Sequence, residues 1–362
     1  RKIHNLVKLI EESKRPALLI GGGVRNSKTS KELKKLIYRL SIPIVSTWSG
    51  VDAIGHDEKN YIGTMGVYGT RPANLVVQNS DLLISLGSRL DTRVTGGRPE
   101  KFAKYAKVVA IDIDKNELSK KRGLNLNSSI NLDLKIFFPA LNKILNKKKY
   151  QFNSKWHDWT FLCKEWKTKY PIVKKKYYSQ KNYANPYIFI DELSKVLKNN
   201  DIIISSTGSH LTWTLQTFKL KEGQRLFSAF GNSPMGYALP ASIGACIALG
   251  RKKRIICIDG DGSLQINAQE LQTIFTNKLP IKLIVMNNMG YGMIKQFQEL
   301  YLNARYEASG KSVTNPDFKN LAFAYKIKYF SIDENKKIIK TKKNFLNYSK
   351  ASFLEVKINP NQ

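Results

Sequence analysis

The sequence is poor in cysteine, in acidic side chains and in long apolar runs, and each shortage narrows what the chain can be. Its three cysteines, Cys163, Cys246 and Cys257, stand far apart in 362 residues. They fit neither a disulfide framework nor the paired spacing of a zinc site, and read as small core residues. No run approaches the roughly 18 consecutive apolar residues of a membrane span. The opening stretch RKIHNLVKLIEESKRP reads as an amphipathic helix without the apolar centre of a signal peptide. A soluble, cytoplasmic chain with no membrane association is the expectation.

Acidic residues number 28 against 60 Lys and Arg, a formal net charge of +32. Such an excess raises nucleic acid as a partner. The lysines are nevertheless spread over many helix faces, with short clusters such as NKKKY (146–150) and VKKKYY (173–178). Asn and Ile are abundant as well, a mixture that a compositional bias in the coding DNA also produces. Charge without a focused patch specifies no site, so nucleic acid is kept as a rival and disfavoured partner.

What is present is a repeating alternation of short apolar runs and helical stretches. In residues 1–145 the runs are ALLIG (17–21), IPIVS (42–46), DLLISLG (81–87) and KVVAIDID (107–114). Residues 146–185, rich in Lys, Tyr, Asn and Trp, read as a linker with one helix around WHDWTFLCKEW. From 186 to 362 the pattern restarts with DIIISS (201–206), RIICID (254–259), IKLIVMN (281–287) and FLEVKI (353–358). Helices are expected over 187–198, from Leu211, from about Met235 to Leu249 and over 264–276. Strands separated by helices pair in parallel, so the fold class is α/β, two doubly wound parallel-sheet domains with ligand crevices at the carboxyl ends of the strands.

The sharpest local signal is CIDGDGSLQINAQELQTI (257–274), where a strand breaks into Gly260-Asp261-Gly262 and resumes as a helix. A strand-to-helix turn aims backbone amides at an anion. A carboxylate there repels phosphate unless a cation lies between them. The next strand ends in VMNNMGYG (285–292), which offers Asn287, Asn288 and further glycines. Twenty-seven residues separate Asp261 from Asn288, the length of a strand–helix–strand unit that sets two parallel tips side by side. Oxygen donors from two tips suit Mg²⁺ that also holds phosphate oxygens and water.

GDGSLQINAQELQTIFTNKLPIKLIVMNN, with Pro280 inside it, resembles the thiamin-diphosphate motif that opens with Gly-Asp-Gly and closes with Asn-Asn. The wider chain resembles the acetolactate synthase branch of that family, through RPALLIGGG (15–23), DLLISLGSRLDTRVTGG (81–97), VVAIDIDKNEL (108–118), STGSHLTWTLQ (206–216) and MGYALPASIGA (235–245). The resemblance covers the family's middle and C-terminal domains. It implies that Asp261, the side-chain oxygen of Asn288 and the carbonyl of Gly290 bind Mg²⁺. It implies that Gly260, Gly262, Ser263, Gly208, Ser209 and His210 face the diphosphate, with Tyr291 in the loop that closes over it. Met235 matches the apolar wedge that bends the cofactor.

The implied reaction is decarboxylation of a 2-oxo acid, pyruvate as donor, and ligation to a second 2-oxo acid. A simple 2-oxo acid decarboxylase of the same fold and a non-catalytic cofactor- or nucleic-acid-binding module are the alternatives. The family's activating glutamate sits in an N-terminal pyrimidine-binding domain that precedes the stretch matching Arg1. The chain is therefore expected to be a fragment, or its missing domain a separate polypeptide. A homodimer or homotetramer is implied, with a regulatory small subunit left open.

For the first half the resemblance implies FAD, on Gly21, Gly22, Gly23, Thr47, Gly87, Arg89, Arg93, Val94, Asp112 and Ile113. Arg89, followed by Arg93 on the next strand tip, would set two guanidinium groups on an anion. Three departures bear on the substrate rather than the cofactor. Phe297 stands where the family carries a tryptophan shaping the acceptor pocket, Thr92 replaces an aspartate beside the substrate-side arginine Arg93, and Tyr68 replaces a histidine near the flavin.

Overall fold

The computed structural model describes residues 1–120, 122–147, 152, 154–309 and 313–361. Lys148, Lys149 and Tyr150 of the first lysine cluster lie outside the described residues. The chain forms two compact units, Arg1–Pro171 and Ile172–Gln362.

The first unit is built on β1 (Pro16–Ile20), β2 (Ile44–Ser46), β3 (Tyr61–Thr64), β4 (Leu82–Leu86), β5 (Lys107–Asp112) and β6 (Ser128–Asn131). All pair in parallel, in the order β3-β2-β1-β4-β5-β6. Every residue of β1 and β4 is buried, because helices cover both faces of a parallel sheet and its inner strands read as continuous apolar runs. Phe137 and Phe138, on the helix Leu134–Lys147, are fully buried in the core on one side. Trimming such a side chain to Ala costs about 3–5 kcal/mol. The stretch 146–185, expected as a linker, is divided between the units. Its helix His157–Lys169 packs into the first, where Trp156 and Trp159 donate their indole N–H groups to the carbonyls of Ser13 (3.0 Å) and Pro16 (2.9 Å).

The second unit carries β7 (Ile202–Ser205), β8 (Arg225–Phe227), β9 (Ile255–Gly260), β10 (Lys282–Asn287), β11 (Lys328–Ile332) and β12 (Ser352–Lys357). These are again all parallel, in the order β11-β12-β10-β9-β7-β8. In the first sheet the winding direction reverses once, between β1 and β4; in the second it reverses between β7 and β9 and again where β12 inserts between β10 and β11. At such a reversal the flanking connections leave to opposite faces and open a crevice at the strand tips.

Three local expectations are corrected. The helix expected from Met235 begins at Ala238 and ends at Ala248; Gly236 has φ +79°, a left-handed conformation that breaks the helix and leaves Met235 on a turn. The helix expected over 264–276 is two, Asp261–Ile266 and Glu270–Thr276. Arg93 is not on the next strand tip: it lies on the four-residue helix Thr92–Thr95 that follows β4 itself.

Candidate functional site

The reversal between β7 and β9 in the second sheet opens a cleft of about 200 Å³. Three strand tips meet there. β7 runs through Thr207 and Gly208 into the helix Ser209–Thr217, β9 runs directly into the helix Asp261–Ile266, and β10 leads through Asn288–Tyr291 into the helix Gly292–Tyr301. All three tips contribute residues to the lining. Unpaired amides and the positive end of the backbone dipole make such helix starts favourable for an anion.

Packing at the tips is closer than any side chain would allow. A Cβ on Gly262 would lie 2.3 Å from Cε1 of Tyr291, and one on Gly260 would lie 2.8 Å from Nδ1 of His210. Glycine lets the Tyr291 ring lie against the Gly-Asp-Gly backbone and the His210 ring sit beside it.

Asp261 is 3 % exposed. Its Oδ1 accepts the Gly262 N–H at 2.8 Å, and its Oδ2 accepts the Gly290 N–H at 3.0 Å and Asn315 Nδ2 at 2.9 Å. Burial pushes its carboxyl above the usual range, and the donors, Asn315 foremost, work against that rise. The Gly290 contact joins the β9 and β10 tips directly. Among the described residues no three His, Cys, Asp or Glu side chains cluster as a metal site. The set offered by Asp261, Asn288 and Gly290 is instead one carboxylate, one amide and one carbonyl, hard donors suited to Mg²⁺.

His210 is buried, and its Nε2 has no hydrogen-bond partner among the described residues; the same holds for Thr207 Oγ1. Leaving such groups unsatisfied costs about 1–3 kcal/mol each. Both residues line the cleft, so a polar ligand there would relieve them. Burial pushes His210 down to about 4, against a hydrogen bond to the Ser206 backbone. Behind the turn lies Asp259, fully buried, with Oδ1 accepting the Gly260 N–H at 2.9 Å. Burial, with the neighbouring Asp261 adding, pushes its carboxyl up to about 7. Ser263 Oγ accepts the Gly236 N–H and donates to Ser206 Oγ, so the turn that carries Met235 is fastened to the Gly-Asp-Gly turn.

Gly208, Ser209, His210, Met235, Gly260, Asp261, Gly262, Ser263, Asn288, Gly290 and Tyr291 thus line one cleft. Phe297 does not line it: the side chain is 55 % exposed, its ring 4.9 Å from that of Tyr301. Sequence reasoning missed Thr207, Asp259 and Asn315. Asn315 stands in TNPDF, where Asn-Pro signals a turn and nothing more.

In the first unit the residues singled out gather at the carboxyl edge of the sheet. Gly21 and Gly23 donate their N–H groups to the carbonyls of Leu86 and Gly87, both at 2.9 Å, and a Cβ on Gly21 would meet Gly87 O at 2.1 Å. The glycine triplet therefore serves the approach of the β1 and β4 ends. Thr47 Oγ1 accepts the Gly50 N–H, Arg89 pairs with Asp91 at 3.4 Å, and the Arg93 N–H donates to the other oxygen of that Asp91 carboxylate. Val94 is half-buried on the same short helix, Asp112 accepts the Asp114 N–H, and Ile113 is 69 % exposed.

Comparison with known proteins agrees with this architecture. Residues 206–356 match the C-terminal TPP-binding domain of the thiamine pyrophosphate enzymes, and residues 3–141 match their central domain. The chain is 36 % identical over 340 residues to the acetolactate synthase large subunit of Cyanidium caldarium, covering 93 % of this chain and 56 % of that protein. It is 32 % identical over 362 residues to that of Porphyra purpurea, covering 100 % and 60 %. To the chloroplastic acetolactate synthase 1 of Nicotiana tabacum it is 36 % identical over 303 residues, covering 83 % and 44 %. The chain thus spans 44–60 % of the length of these relatives. Among the described residues no helix is long and apolar enough to cross a membrane.

Proposed function

Because this chain belongs to the thiamine pyrophosphate enzyme family, we propose that it is the central and C-terminal part of an acetolactate synthase-like enzyme whose second unit holds thiamin diphosphate through Mg²⁺. One observation carries the reading. Two adjacent strand tips bring Asp261 to the Asn288–Gly290 loop, through the 3.0 Å bond from Gly290 N–H to Asp261 Oδ2, beside the unsatisfied His210.

In this reading Asp261, Asn288 Oδ1 and the Gly290 carbonyl hold the cation. The helix starts at Ser209 and Gly262–Ser263, together with His210, contact the diphosphate. A ligand phosphate beside His210 favours its protonated form and gives Nε2 the partner it lacks. Tyr291, packed closely against Gly262, screens the anion from water, and Met235 presents its side chain to the rings. Bound thiamin diphosphate supplies the electron sink for decarboxylating a 2-oxo acid, pyruvate in our reading, and for joining the product to a second carbonyl compound. The carboxyl edge of the first sheet, with Arg89, Arg93 and the exposed Ile113 around its reversal point, is where FAD would sit. A second copy of the subunit would complete the active site.

Calorimetric titration of the chain with thiamin diphosphate tests the reading. Binding is expected with Mg²⁺ and is expected to be lost without the metal or in Asp261→Ala; isotherms unchanged by either would refute it. With the full-length protein and pyruvate, acetolactate is the expected product, and acetaldehyde alone would identify a decarboxylase.

A further inference from the structure

A row of hydrogen-bonded side chains crosses four adjacent strands, β11-β12-β10-β9, from the sheet edge to the proposed cation site. Glu355 on β12 stands opposite Val285 on β10, so Asn287, two residues further along β10, projects from the same face. Asn287 Nδ2 donates to Glu355 Oε1 at 2.7 Å, and the Tyr329 hydroxyl, from the edge strand β11, donates to Glu355 Oε2. On its other side Asn287 Oδ1 accepts the Met289 N–H at 3.0 Å and Asn315 Nδ2 at 3.1 Å, and Asn315 also donates to Asp261, just beyond β9, at 2.9 Å. The orientation of the Asn287 amide is fixed from both ends, since a carboxylate only accepts and a backbone N–H only donates.

Glu355 is the unexpected member of the row. It is 6 % exposed, and both its oxygens are met by neutral donors, an amide and a phenol. A carboxylate buried against neutral groups is costly to keep. What it secures is Asn287. Met289 has φ +56°, a left-handed conformation that a residue with a side chain adopts reluctantly. An Asn side chain accepting the N–H two residues on forms the Asx turn that supports it. The turn sets Asn288 and Gly290 beside Asp261, whose Oδ2 accepts the Gly290 N–H at 3.0 Å. The Met289 N–H is also drawn to the Asp261 carboxyl, which it holds down. Asn287 therefore competes for that N–H and needs an anchor on its far side; Glu355 is that anchor.

We propose that Glu355, which does not line the cleft, is a positioning residue for the cation loop: by holding Asn287 Nδ2 it keeps the Asn287–Met289 turn closed and the Asn288 and Gly290 oxygens aimed at the cation. This rests on the reading of Asn288 and Gly290 as cation ligands. Calorimetric titration with inorganic pyrophosphate and MgCl₂ probes the site, and thermal unfolding without ligand checks the fold. Glu355→Leu is expected to weaken Mg²⁺-dependent pyrophosphate binding at least about tenfold, a change of about 1.4 kcal/mol. Glu355→Gln, whose Oε1 still accepts Asn287 Nδ2, is expected to stay within about threefold of the wild type. Because Glu355 acts through Asn287, Glu355→Leu/Asn287→Ala should bind no more weakly than Asn287→Ala alone. Losses that add, a loss that Glu355→Gln fails to restore, or wild-type affinity in Glu355→Leu would each overturn the proposal. Should Glu355→Leu fail to fold, Glu355→Asp, which keeps the charge and withdraws it from Asn287, is expected to lose at least about threefold; wild-type affinity there would overturn it likewise. The two levels separate cleanly. Pyrophosphate binding indifferent to Mg²⁺ and to Asp261→Ala refutes the cation reading, whereas binding that needs both and is undiminished in Glu355→Leu refutes the present proposal alone.

Discussion

The hydroxyls of Ser206 and Ser263 meet at 2.8 Å across 57 residues of sequence. Ser206 Oγ also accepts the Tyr237 N–H at 3.1 Å, Ser263 Oγ accepts the Gly236 N–H at 2.8 Å, and Asn267 Nδ2 donates to Gly236 O at 2.8 Å. The turn carrying Met235 is thereby fixed to the turn that faces the anion. Ser206→Ala should weaken thiamin diphosphate binding about tenfold, the effect of roughly 1.4 kcal/mol. Inorganic pyrophosphate with Mg²⁺ should lose less than about threefold, since losing Met235 alignment affects only a ligand that has rings. Calorimetry with both ligands decides; equal losses would contradict the coupling.

Gly262→Ala sets a methyl group 2.3 Å from Tyr291 Cε1 and forces the ring away. Affinity for thiamin diphosphate with Mg²⁺ is expected to drop at least about tenfold. The double variant Gly262→Ala/Tyr291→Ala should recover part of it, because the clash is gone. A single variant that binds normally would show that the ring does not define the cleft.

His210 titrates at about 4 in the folded chain, below its ordinary 6.5, because burial disfavours the charged ring. Between these values the unfolded chain binds more protons, so this residue's contribution to stability is intact above pH 6.5 and is lost as pH falls through 4. The loss amounts to at most about 3 kcal/mol. Denaturant unfolding of the wild type and His210→Gln at pH 7.5 and pH 4 measures it: the stability difference between them should shift against the wild type at the lower pH. A difference independent of pH would exclude a buried neutral imidazole.

Asn288→Leu removes an amide of nearly the same volume and leaves an apolar group where an oxygen ligand is proposed. Metal-dependent binding should weaken at least about tenfold, with thermal stability in the absence of metal little changed. An unaltered isotherm would remove Asn288 from the ligand set.

The eight strands legible in the sequence, β1, β2, β4 and β5 in one unit and β7, β9, β10 and β12 in the other, are the interior strands of the two sheets. The four that were not legible, β3, β6, β8 and β11, are the four edges. An interior strand of a parallel sheet is covered on both faces and paired on both sides, so its sequence is a continuous apolar run. An edge strand escapes part of that requirement: β8 reads Arg-Leu-Phe with one fully buried residue, and β11 begins on an exposed lysine. The glycine at 236 similarly hides in an apolar stretch that otherwise reads as helix, and only its backbone conformation shows that the helix starts after it.

Local chemistry alone determined the two α/β units, the strand-to-helix turn at Gly260–Gly262, and the donor types on the β9 and β10 tips, because burial and turn geometry select residues over a few consecutive positions. The folded chain decided which groups meet. It placed Tyr291 on Gly262, Ser206 on Ser263, and Asn315 on Asp261 54 residues away. A hydrogen bond between distant segments constrains neither residue's neighbours, so it leaves no periodic pattern in the sequence and exists only once the sheet has brought its strand tips together.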